Sequence, residues 1–251
     1  MDRFSQLEFG NVQPDKPRDP GEPIRDAHYF QQEAVKYWLA GDFEIALRNY
    51  SRTLEQNSTF FPAWSGQIYM LIEMDENKEA NVWADKAMDL FPEHPDLLAL
   101  KAIANKRDRK VPQAIAYSDN AIGKENLTPR VWLARAEVFM DRKEAIVDGC
   151  ISKAIGLATE DKPIVKLEAG RLLRRKKSYA QAMGFLNEAL QTLSKSALAW
   201  YELGCCQNRM GLPQATHSLQ EALRLHPNWN LAADALQHHE NRGFFGRLFR
   251  R

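Results

Sequence analysis

The sequence has little cysteine, no long apolar run and almost no net charge, and each shortage excludes a class of protein. Three Cys among 251 residues, two of them adjacent at Cys205 and Cys206, make no disulfide framework. A reducing, cytoplasmic setting is therefore expected. No segment approaches the ~20 apolar residues needed to cross a bilayer. The start MDRFSQLEFG lacks the combination of a basic start and a following apolar run that marks a secretory signal. A net charge of +1 gives no global pull toward nucleic acid or anionic lipid, so any such contact needs a local patch. Glycine is sparse and scattered, which leaves no phosphate-cradling loop. No G-x-S-x-G or Cys-His-Asn set is present. His238 and His239 are helix neighbours and point apart. Cys205 and Cys206 with His226 or His238 match no zinc spacing, so small buried apolar Cys is the better reading. No catalytic residue, metal or cofactor is expected, and the chain reads as non-enzymatic.

What the chain does have is a step of 34 residues. Counting back from Gly204 by that step gives Gly170, Ala136, Ala102, Ile68 and Ala34. From Trp200 it gives Lys166, Trp132, Leu98, Trp64 and Phe30. From Gly211 it gives Lys177, Lys143, Arg109, Asp75 and Gly41. Pro95, Pro129 and Pro163 recur at the same step, where a first helical turn tolerates proline. A period near 34 marks stacked helical hairpins. Small residues at Ala34, Ala102, Ala136, Gly170 and Gly204 let the two helices of one hairpin cross closely. Ile68 breaks the series and predicts a wider crossing. Trp64, Trp132 and Trp200 are expected to fill space between successive hairpins. Gly41 suits a left-handed turn after the first helix.

Within the step, Tyr37, Gly41, Phe43, Ala46, Tyr50 and Leu54 give the first repeat, and Trp64, Ala80, Ala84, Ala87 and Pro92 the second. These residues resemble the tetratricopeptide repeat family. That resemblance implies an all-α, right-handed superhelical solenoid of six hairpins plus a capping helix, over residues 27–241. It also implies a non-catalytic adaptor or scaffold that holds a peptide or protein surface against its first helices. One subtype of the family grips a C-terminal carboxylate through fixed Lys and Asn positions. Here Gln31, Val35, Gly66, Asp96 and Leu100 occupy those places, so that mode is not expected. The second helices of repeats four and six fit with loops one residue short, placing Val147, Ile151 and Ala154, and Ala215 and Ala222, in the core.

Helical spacing turns a mixed face toward the implied groove: Tyr69, Ile72, Ile103, Lys106, Arg107, Leu133, Glu137, Arg171, Arg174, Arg175, Tyr201, Cys205, Asn208 and Arg209. A basic strip runs through it from repeat three to repeat six. Three readings stand: cations complementing helix C-termini, forks for an acidic protein or peptide, and nucleic acid, which the scarcity of interleaved aromatics disfavours. Two tails flank the array. Residues 1–26 carry Pro14, Pro17, Pro20 and Pro23 and read as an extended segment, with Phe4, Leu7 and Phe9 as a small apolar cluster. After Gly243, taken as the helix stop, residues 242–251 place Phe244, Phe245, Leu248 and Phe249 on one face and Arg247, Arg250 and Arg251 on the other. Weak peripheral membrane contact, docking to a partner, and folding back on the last hairpin are the alternatives there.

Overall fold

The computed structural model describes residues 25–142 and 144–248, with residue 144 and residues 241–248 in backbone only. The proline-rich segment before Arg25, the side chains of Phe244, Phe245 and Leu248, and all of Phe249 lie outside that description. Among the described residues there are thirteen helices and no strand. Six hairpins follow in order: α1 (Ala27–Ala40) with α2 (Phe43–Gln56), α3 (Phe61–Glu73) with α4 (Asn77–Leu90), and α5 (Pro95–Arg107) with α6 (Val111–Ile122). Then come α7 (Pro129–Phe139) with α8 (Glu144–Leu157), α9 (Lys162–Arg175) with α10 (Tyr179–Leu190), and α11 (Ala197–Arg209) with α12 (Gln214–Leu225). The final helix, α13 (Asn230–Leu248), runs through Gly243 rather than stopping there.

The step of the sequence reappears as a backbone ladder. Gly41, Asp75, Arg109, Lys177 and Gly211 all have positive φ, between 62° and 86°. At each, the chain leaves the first helix through the same closing bond. The N–H groups of Asp42, Glu76, Lys110, Ser178 and Leu212 each donate to a carbonyl five residues back, at 2.9 Å. This is the Schellman arrangement, with the left-handed residue just past the helix end. Entry is also capped in places: Asp26 accepts from the Tyr29 N–H at 2.8 Å and Ser196 from the Ala199 N–H at 3.1 Å.

Every member of the small-residue series is buried. A methyl added at Gly170 would lie 2.6 Å from Leu186 Cγ, and one at Gly204 2.7 Å from Leu219 Cγ. At Ile68 the larger side chain intervenes, and α3 and α4 approach each other at fewer places than the helices of the other hairpins. Trp64 packs on Trp83, Trp132 lies under Lys153, and Trp200 meets His217 edge-on. Each ring thus covers the second helix of its own hairpin. The Trp64 and Trp200 indoles are tied by matching bonds to the carbonyls of Ser58 and Ser194.

The array curls until its two ends meet. The Ser196 hydroxyl donates to the Leu39 carbonyl at 2.7 Å, and His226 Nδ1 donates to the Ala40 carbonyl at 3.1 Å. The Trp229 ring lies so close to Gly41 that an added Cβ would stand 2.7 Å from it. The sixth hairpin therefore rests on the first turn. As a result the first helices are enclosed: Ala63–Ile72 of α3 and Asp96–Asn105 of α5 are buried on every face. A helix that is largely apolar all round, such as FPAWSGQIYMLIE, needs such an environment.

Candidate functional site

Inside this curl, the basic strip meets carboxylates of the same chain. Arg107 donates from Nε to Glu137 at 2.8 Å, from Nη1 to the Ile72 carbonyl at 2.9 Å and from Nη2 to Glu73 at 3.1 Å. Arg171 donates to Glu73 and, at 3.1 Å, to Glu202. Arg174 also donates to Glu202, and Arg175 reaches Glu137 at 2.8 Å. Lys106 pairs with Asp141 at 2.7 Å. Three buried carboxylates thus engage four arginines drawn from α5 and α9, and the Glu73–Arg171 pair joins the second hairpin to the fifth.

Burial alone would raise the carboxyl pKa of Glu73, but Arg171, Arg107 and Arg175 overwhelm it and hold the group well below the usual range. Glu137 and Glu202 are lowered by the same contest between burial and their arginines. The network is consequently fully charged at neutral pH. Taking one member away would leave a charge buried without its partner, which costs about 3–5 kcal/mol.

Tyr69 lies in this enclosed region, packed edge-on against Trp38 and capped by Arg130. The space left between Tyr69, Arg130, Glu137, Glu168 and Arg175 is about 20 Å³, which suits a single water and not a peptide. Tyr69, Arg107 and Arg171 are therefore bound up in packing and ion pairing. The signal for this was in the register. Glu73 and Arg107 stand one step of 34 apart, as do Glu137 and Arg171, so opposite charges occupy equivalent places on neighbouring first helices. Glu202, the third carboxylate, carries no mark in the basic strip itself.

A cavity of about 620 Å³ opens at the other end of the same strip, where the first helices end. The end of α9 supplies Arg174, Arg175 and, one residue past it, Lys177. Along α11 stand Tyr201, Cys205, Asn208 and Arg209, while α13 contributes Leu231, Asp234 and His238. The structure thus brings together six of the groove residues singled out from the sequence: Arg174, Arg175, Tyr201, Cys205, Asn208 and Arg209. The two further cavity residues Lys177 and His238 come from a turn and from α13. Lys177 and Arg209 are exposed and make no ion pair among the described residues. Asn208 is held by His239 at 3.0 Å. Tyr201 leans on Trp229 at 4.6 Å between ring centres. Burial pushes the Cys205 thiol up to about 11, which keeps it protonated at neutral pH. Among the described residues no group of His, Cys, Asp and Glu is arranged to hold a metal, and no helix is long and apolar enough to cross a membrane.

Closed hairpin stacking, the left-handed turn ladder and the small-residue crossings together define the tetratricopeptide-repeat fold. Solved structures bear this out. A tetratricopeptide repeat protein from Parabacteroides merdae matches with a TM-score of 0.55 at 15% identity, over 88% of this chain and 87% of that one. Cut9, in the APC/C hetero-tetramer Cut9-Hcn1, matches at 0.54 and 18% identity, over 85% of this chain but only 43% of its own. Human IFIT1, solved as a dimer with m7Gppp-AAAA, matches at 0.56 and 16% identity, over 90% of this chain and 67% of that one. No family model matches the sequence, and no curated protein matches it.

Proposed function

We propose that this protein is a non-catalytic interaction adaptor, and that its ligand is an acidic peptide segment bound at the cavity between α9, α11 and α13. One observation carries the reading. The inner arginines of the strip are matched by Glu73, Glu137 and Glu202, whereas Lys177 and Arg209, at the mouth, are left to face solvent in a cavity. Exposed cations in a concave space favour carboxylate ligands, with the Arg fork giving direction as well as charge. A full-length concave groove is not the binding surface in this reading, because closure of the ends encloses the middle first helices. The neutralised interior also removes the extended basic track that an RNA strand would need for several phosphates.

The test is fluorescence anisotropy with a labelled Glu/Gly peptide against wild type and the double reversal Lys177→Glu/Arg209→Glu. Binding that weakens at least tenfold in the double reversal, and that falls as salt rises from 0.05 to 0.2 M, supports the reading. Arg109→Glu, exposed at a different turn, serves as the charge control and should bind as wild type does. A labelled oligo-A strand bound more tightly than the peptide would turn the conclusion to RNA.

A further inference from the structure

The cavity has a neighbour that changes what kind of peptide it fits. Across the α9–α10 turn lies an open apolar cleft of about 410 Å³, lined by Lys177, Ser178, Tyr179, Ala180, Gln181 and Met210. Lys177 and Tyr179 line both spaces. Their arrangement follows from the turn ladder. The left-handed backbone at Lys177, with φ of 66°, reverses the chain directly after α9. Tyr179 then begins α10 beside it. On the facing turn, Arg209 ends α11 on the cationic side, and the next residue, Met210, is 45% exposed on the apolar side. Leu231 is 58% exposed at the rim of the first cavity. Among the described residues Ile45, Val82, Leu90 and Leu157 are comparably exposed, but Met210 and Leu231 are the two that stand beside the cationic cavity, where apolar surface is available to a ligand.

Resting on the reading of the cavity as the acidic-peptide site, we infer that the ligand is bipartite: a peptide in which a carboxylate side chain stands next to a large apolar one. The carboxylate meets Arg209 and Lys177. The apolar side chain lies over Tyr179 and Met210. Charge complementarity alone would give weak, salt-sensitive and promiscuous binding, because both cations are exposed. Partly burying one Leu or Phe side chain in the cleft is expected to add at least tenfold in affinity, about 1.4 kcal/mol, enough to set specificity. A polyanion without apolar residues satisfies only half of the site.

Three labelled peptides of equal length and charge separate the possibilities: Glu/Gly alone, Glu with adjacent Phe, and Glu with the Phe moved six residues away. Each is titrated against wild type and Met210→Ser, a change at an exposed position that alters no charge. The expected result is that the adjacent-Phe peptide binds wild type at least tenfold more tightly than the other two. Met210→Ser should remove most of that gain and leave Glu/Gly affinity unchanged. Equal affinity for all three peptides overturns the bipartite ligand while leaving the anionic site standing. No binding of any peptide to wild type overturns the cavity as a peptide site altogether. Circular dichroism of Met210→Ser, matching wild type, shows that lost discrimination is not lost folding.

Discussion

Gly204 shows how tightly one position can be specified. Its missing side chain is filled by Leu219, whose Cγ would stand 2.7 Å and whose backbone N would stand 3.2 Å from an added Cβ. The near contact includes main chain, so the neighbour cannot simply rotate away. Gly204→Leu is expected to destabilise the protein by about 1–3 kcal/mol through overpacking, read as a lower urea midpoint. Arg109 presents the opposite case. It holds a left-handed conformation, φ 62°, at the place where Gly41 and Gly211 stand in other repeats. A side chain in that region costs about 1–2 kcal/mol, and glycine loses roughly half of that benefit again to unfolded-chain entropy. Arg109→Gly should therefore raise stability by about 0.5–1 kcal/mol. The same substitution at Lys177 should stabilise equally but weaken acidic-peptide binding, because that side chain lines the cavity.

Between residue and molecule, the helical hairpin is the element that the sequence announced best. The register of Gly204, Trp200 and Gly211 placed the crossings and turns correctly because each depends on contacts within about 34 residues. Val147 and Ile151, and Ala215 and Ala222, are buried as the shortened loops required. The tryptophans were assigned to the core, but the helix that each ring covers was not legible. Their spacing says only that they recur, and the choice between facing the second helix of the same hairpin and facing the next hairpin depends on side-chain rotamer. His94 is another element-scale surprise. Its Nδ1 accepts the Asp96 N–H at 3.2 Å, and its ring stacks on Phe61 at 3.8 Å. An imidazole here does the work of an N-cap serine, and burial lowers its pKa, which keeps Nδ1 free to accept. Replacing His94 by Ser should preserve the cap and lose only the stacking, so its cost, about 1 kcal/mol, should stay below that of His94→Leu, which loses the cap bond as well. Thermal melts of the two variants make the comparison.

At the scale of the whole molecule the ends meet, and no local pattern foretold it. Repeats read one at a time carry no record of how many fit in a turn of the superhelix. The largely apolar circumference of α3 was the available clue, yet in isolation it reads as an ordinary groove face. Its consequence for the site is that the inner cations belong to the fold, which leaves the outer ones for the proposed ligand. The two sets should respond differently to acid. Glu73, Glu137 and Glu202 all have folded pKa values below the unfolded value, so their stabilisation is complete above about pH 4.5 and is lost as pH falls through the folded values. Denaturant titrations should show stability dropping steeply below pH 4.5. Glu73→Gln should cost about 3 kcal/mol at pH 7 and flatten that drop. The Leu39–Ser196 and Glu73–Arg171 contacts also fix the number of repeats. Open solenoids gain or lose a hairpin with little penalty, because each unit touches only its neighbours. Here a duplicated hairpin between α6 and α9 would carry Ser196 past Leu39 and Arg171 past Glu73. The seam would fail to register, and Glu73 and Arg171 would lose each other across the interior. This chain is thus a repeat protein whose length can no longer drift.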